Sequence, residues 1–157
     1  MQYPWISRTD RMLNSLPTVG KLLDLCEENY QLLLALAPKL RHMCGLHASC
    51  RPRHMDLYLE VVEQTPYTTV VHLTYYFSHA EGQRADPDAL LRVYHDARQI
   101  EVVNLRQKAL PVDVGYHHPS LFNKWKINVF LSKWLSFCAA QEHLFAANEE
   151  ILTKLHG

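Results

Sequence analysis

Met55-Asp56-Leu57-Tyr58-Leu59-Glu60-Val61 alternates apolar and polar residues. A period of two puts Met55, Leu57, Leu59 and Val61 on one side of a β-strand and Asp56, Tyr58 and Glu60 on the other. After Gln64-Thr65-Pro66 the alternation resumes, with Val71, Leu73, Tyr75 and Phe77 on one face and Val70, His72, Thr74 and Tyr76 on the other. Two such runs around a short Pro-containing turn predict an antiparallel hairpin.

Downstream, Leu91-Arg92-Val93-Tyr94-His95 and Ile100-Glu101-Val102-Val103 flank Asp96-Ala97-Arg98 and predict a second hairpin. The polar stretch from Glu81 to Asp88 reads as the loop between the two hairpins. A fifth short strand is expected around Leu110 to Tyr116, restricted by Pro111 to an edge or a strand start.

Upstream, the period changes. From Val19 to Ala37 the apolar residues Val19, Leu22, Leu23, Cys26, Tyr30, Leu33 and Leu34 step at three and four, and Leu25, Leu32 and Leu36 add a second stripe. That pattern predicts a helix buried on more than one side, capped by Thr18 and stopped by Pro38. Pro38 to Pro52 loses all period and reads as a connection with one short helical turn at most. Residues 1–17 read as an irregular arm that Tyr3, Trp5 and Ile6 could dock.

At the other end, Ile127, Phe130, Leu131, Trp134, Leu135 and Cys138 predict a helix over about 120–140 with this stripe facing the sheet. Leu144, Phe145, Ile151, Leu152 and Leu155 suggest that it extends, or that another follows. The expected fold is therefore α+β in a single domain over 1–157: an antiparallel meander sheet of four to five strands, covered on one face by an N-terminal and a C-terminal helix. This order excludes a doubly wound nucleotide-binding fold.

Composition narrows the function classes. With 157 residues and 48% hydrophobic content, the chain can bury a full core without staples. The four cysteines are then expected as free thiols in a cytoplasmic protein. Sixteen basic residues balance sixteen acidic ones, which argues against a nucleic-acid partner, and no apolar run is long enough for a membrane span. Phosphate loops, nucleophile elbows and zinc-protease pairs are missing from the sequence, so no cofactor is expected.

Four stretches carry a resemblance to the YqiB-like family of bacterial proteins, a domain of unknown function. They are Leu25 to Tyr30, Val62 to Thr69, Arg92 to Ala97 and Ile127 to Cys138, in the same order along the chain. The resemblance implies a chain of about this length and carries no activity with it.

The candidate site residues are Glu27, Glu63, Tyr67, Arg92, Tyr94, His95, Lys124 and Asn128. Glu27 stands between two apolar stripes and would need a partner such as Arg92 or Lys124. Glu63 and Tyr67 border the first turn, where carboxylate and phenol suit a polar ligand or turn chemistry alike. Arg92 and Tyr94 share a strand face while His95 points the other way, and Asp96 suits a turn start. Lys124 and Asn128 share a helix face. Cys44, His47 and Cys50, flanked by His42 and His54, are weak metal candidates, because zinc sites show paired ligand spacers and this is one irregular cluster.

The leading expectation is a non-enzymatic binding or adaptor protein recognising a partner protein or a small polar ligand near Glu63, Tyr67, Arg92, Tyr94 and Lys124. The first alternative is an enzyme or nucleotide-binding regulator using Glu27, Glu63, Arg92 and His95 in a helix–sheet cleft. The second is metal binding through the Cys44 to Cys50 segment.

Overall fold

The computed structural model describes residues 4–5, 17–79, 82–107 and 120–146. Helix α1 spans Val19–Leu36, strands β1 to β5 span Gly45–Ser49, Asp56–Gln64, Thr68–His79, Gly82–Tyr94 and Gln99–Arg106, and helix α2 spans Leu121–Ala140. The strands form one antiparallel sheet in the order β1-β2-β3-β4-β5. This is the expected α+β meander with both helices on one face.

Local chemistry sets the helix ends as the sequence implies. The Thr18 hydroxyl accepts from the Lys21 amide at 3.1 Å, and the Ser120 hydroxyl accepts from Asn123 at 3.1 Å. Each satisfies one amide that the first helical turn leaves open. On α2 all six residues of the predicted stripe are buried, with Trp134 and Leu135 wholly so. The buried line of α1 runs instead through Leu25, Asn29, Leu33 and Leu36, while Val19 and Leu23 are exposed. Two adjacent apolar stripes left its rotation undetermined, and the packing against α2 and β5 selects the line between them.

Alternation gives each strand two different sides. Leu57, Leu59, Val71, Leu73, Tyr75, Ala89, Leu91, Val93 and Ile100 point to the helices and are buried. Their neighbours in sequence point to the open face. Trp5 docks into the helix side, with its ring centroid 4.8 Å from Phe137, 6.2 Å from Tyr75 and 6.3 Å from Phe130.

Three expectations change. The connection after Pro38 does contain one short turn, Leu40–His42, but it also contains β1, which pairs residue for residue with β2 from Gly45↔Val61 to Ser49↔Leu57. A five-residue edge strand held by one neighbour needs no long apolar alternation, so its pattern was too short to read. Of the expected loop from Glu81 to Asp88, the stretch from Gly82 is the first half of β4, paired with β3 across a register shift between Thr74 and Tyr76. Residues 143–146 leave the helical path, and the Phe145 amide donates to the Leu36 carbonyl at 2.7 Å. The strand expected around Leu110 to Tyr116, and residues 147–157, lie outside the described residues.

Candidate functional site

A bulge decides which residues near the first turn face which way. The β2–β3 register passes from Val61↔Val71 to Glu63↔Val70, so Val62 is an extra residue, more than half exposed. One inserted residue inverts the alternation beyond it. Glu63 consequently joins the open face, and Gln64 turns to the helix side, where its amide donates to the Leu40 and Met43 carbonyls at 2.8 and 3.0 Å.

On the open face, Glu63, Val70, Arg92 and Glu101 lie side by side across β2, β3, β4 and β5. Arg92 Nη1 donates to Glu101 Oε1 at 2.9 Å, and the Tyr94 hydroxyl reaches the same oxygen at 3.4 Å. Tyr67, in the β2–β3 turn at the same end of the sheet, is 64% exposed. Farther along, Asp88 is buried among three partners. The Thr74 hydroxyl donates to it at 3.0 Å, and His72 Nε2 and Arg106 Nη2 lie 3.0 and 2.7 Å from its oxygens. Tyr58 and Tyr76 stack edge to face beside this group at 5.1 Å between centroids.

His95 belongs to the other side. Its Nε2 bonds the Thr69 hydroxyl at 2.8 Å and its Nδ1 the Tyr30 hydroxyl at 3.2 Å. Because the Thr69 hydroxyl donates to Gln64 Oε1, it accepts from His95, which assigns the proton to Nε2 and leaves Nδ1 to accept from Tyr30. Burial, and after it the Arg41 guanidinium, holds this imidazole below the ordinary histidine range, with Asp96 opposing. The result is a neutral ring that ties α1 to β3 and β4. Asp96 itself accepts from the Ala97 amide at 3.0 Å, which is turn chemistry.

The remaining candidates lie in the helix layer. Asn128 accepts from the Asn29 amide and from the Cys26 thiol, and donates to the Lys124 carbonyl at 2.9 Å. It therefore joins the two helices. Burial pushes the Cys26 thiol up to about 11, Lys124 opposing, so it stays protonated and inert near neutrality. Glu27 is half-buried and, among the described residues, forms no ion pair; Arg92 is engaged by Glu101 on the far side of the sheet.

Four of the eight candidates, Glu63, Tyr67, Arg92 and Tyr94, thus gather at one end of the open face. His95 lies beneath the helices, and Glu27, Lys124 and Asn128 sit on them. Cys44 and Cys50 are exposed, whereas His47 is buried on the helix side with its Nε2 donating to the Cys44 carbonyl at 2.7 Å. Among the described residues no three His, Cys, Asp or Glu are placed to hold a metal ion.

Sequence reasoning missed Glu101 and Asp88. Glu101 was findable, since pairing the second hairpin about its turn sets it opposite Arg92. Asp88 was not, because it fell in a presumed loop. The buried Ser49–His143 bond at 2.9 Å joins residues 94 apart in sequence and left no local signal.

Fold and polar groups together define an α+β meander protein with one sheet face covered by the helices and one, bearing tyrosines and charges, that no helix covers among the described residues. The chain belongs to the DUF1249 family, described as a protein of unknown function, whose model matches residues 32–144. It is 30% identical over 129 residues to "Uncharacterized protein YqiB" of Escherichia coli strain K12, covering 79% of this chain and 90% of the relative. The same values hold for the proteins of that name in Escherichia coli O6:H1 and O157:H7. No solved structure matches significantly. Among the described residues no helix is long and apolar enough to cross a membrane.

Proposed function

We propose that the chain is a non-enzymatic binding protein that recognises a protein partner through the open sheet face around Glu63, Tyr67, Arg92, Tyr94 and Glu101. The observation that carries this reading is the one-sided packing of the helices. It leaves tyrosine, arginine and carboxylate side by side on a rigid strand surface, and Tyr and Arg are the residues that most often anchor protein interfaces. Lys124, on the helix layer, drops out of the expected surface.

The surface is spread across four neighbouring strands, which suits a protein better than a small ligand, since small ligands take concave sites. Two cavities among the described residues, of about 340 Å³ and about 170 Å³, are lined by neither Arg92 nor Tyr94. A catalytic cleft using Glu27, Glu63, Arg92 and His95 is not favoured, because Arg92 and His95 stand on opposite faces.

The test is affinity capture with the natural chain and an Arg92→Ala/Tyr94→Ala variant side by side, both checked for native circular dichroism. A partner captured by the natural chain and lost from the variant is the expected outcome. Equal recovery on both would sink the proposal. Stabilisation by a nucleotide or anionic metabolite in a thermal-shift screen, abolished by Arg92→Ala, would instead support a small polar ligand on this face.

A further inference from the structure

The two edges of the sheet are built differently. An edge strand exposes a row of unpaired backbone amides and carbonyls, and folded proteins guard such rows with charge, proline or bulges. At one edge, β5 carries Glu101 and Arg106 and shifts register against β4 between Leu90 and Leu91. At the other, β1 reads Gly-Leu-His-Ala-Ser, with no acidic or strongly basic residue, no proline and no register shift against β2. Among the described residues nothing pairs with its outer edge.

The residues flanking β1 are Cys44 and Cys50, both free and both exposed. They stand symmetrically about His47, the middle residue of the strand. We propose that two copies of this chain pair edge to edge through β1, antiparallel, about a two-fold axis at His47. The pairing extends the meander into one continuous sheet across both copies.

Geometry makes this register self-complementary. Gly45 faces the partner's Ser49, Leu46 faces the partner's Ala48, and the two copies of His47 face each other. Cys44 then faces the partner's Cys50 at both ends. Any antiparallel pair admits a two-fold axis at one residue, so the register is allowed whichever set of β1 amides points outward. Opposed residues within such a pair have Cα atoms about 4.5 or 5.5 Å apart. Cys44 and Cys50 lie one residue beyond either end of β1, and the Gly45 φ of 74° bends the chain between Cys44 and the strand, so the register brings the two thiols near each other and a short linker spans them. Within one copy, the same two cysteines are separated by about 20 Å of extended strand and cannot be joined. The thiols therefore report the register; the backbone hydrogen bonds make the contact.

The experiment uses the full chain. Under reducing conditions, sedimentation equilibrium is expected to show a concentration-dependent dimer, which Ala48→Lys converts to monomer by placing at the edge a charge that pairing would strip of water. Copper-phenanthroline, or a short bismaleimide that tolerates the bend at Gly45 with its φ of 74°, is expected to link Cys44 to Cys50 between copies. Cys44→Ser and Cys50→Ser should each abolish that link alone, and a mixture of the two variants should restore it. A monomer at all concentrations, a dimer untouched by Ala48→Lys, or links joining like cysteines would overturn the proposal.

Discussion

Strands β3 and β4 can be compared with themselves, one side against the other. On the helix side, Val71, Leu73, Tyr75, Ala89, Leu91 and Val93 are between 0% and 1% exposed. One residue away along the same backbone, Arg92, Tyr94, His72 and Tyr76 remain reachable by solvent. Both sides share hydrogen bonds, twist and register, so the difference between them is side-chain chemistry alone. The helix side is where burial stabilises the fold, and the open side, which packing constrains less, is the face proposed for recognition.

Adjacent residues should therefore differ widely in cost. Leu73→Ala removes a side chain with no exposed surface from the centre of the core and is expected to lower stability by about 2–5 kcal/mol. Tyr76→Ala, on the open side at 38% exposure, loses its edge-to-face contact with Tyr58 and is expected to cost about 1 kcal/mol. Urea midpoints read both. Equal losses would mean that the open face is in fact covered, and the comparison would break.

Asp88, like Val70, is a place where the open side behaves like a core. Its side chain is 5% exposed, although Arg106 and His72 beside it are 74% and 42% exposed. Truncation to alanine leaves the buried Thr74 hydroxyl without its acceptor, at about 1–3 kcal/mol. Asp88→Asn keeps an acceptor oxygen for Thr74 and should cost less. A neutral Asp88→Ala in the same urea titration would show that this row is hydrated and that the two sides differ more sharply than burial indicates.

The legible part of the molecule is the part governed by period. Thr18 as a cap, the Ile127 to Cys138 stripe and both hairpins follow from local spacing, because helices and strands repeat at different intervals. The illegible part rests on departures from period. The extra residue Val62 exchanges the faces of Glu63 and Gln64, and a bulge costs a sequence nothing that alternation can register. β1 is too short to alternate visibly. The candidate residues divided between two faces for the same reason: parity separates Arg92 from His95 at once, but which face lies under the helices emerges only from packing.

Histidines beneath the helices sharpen the comparison through pH. Burial, first among the causes, lowers the proton affinity of both His95 and His143. The unfolded chain then binds more protons than the folded one at pH values below the ordinary histidine value of 6.5, so stability falls as pH decreases through that window and is fully present above it. Urea midpoints measured from about pH 7.5 to about pH 5 should decline, and His95→Gln or His143→Gln should each make the decline shallower. A slope unchanged in both variants would assign the acid sensitivity elsewhere.

The smallest effect on stability belongs to a pair on the face proposed for binding. Arg92 and Glu101 meet at 2.9 Å with side chains 41% and 53% exposed, so solvent screens them and the coupling in a double-mutant cycle is expected between about 0 and 1 kcal/mol. Arg92→Ala should leave the unfolding midpoint nearly unchanged while removing captured partner. If the cycle instead returned a coupling as large as the Asp88 loss, Arg92 would be a structural residue, and the recognition surface would have to be sought around Tyr67. A near-zero coupling has a definite cause: the guanidinium and carboxylate are hydrated in the free protein, and their attraction becomes strong only when a partner excludes the water.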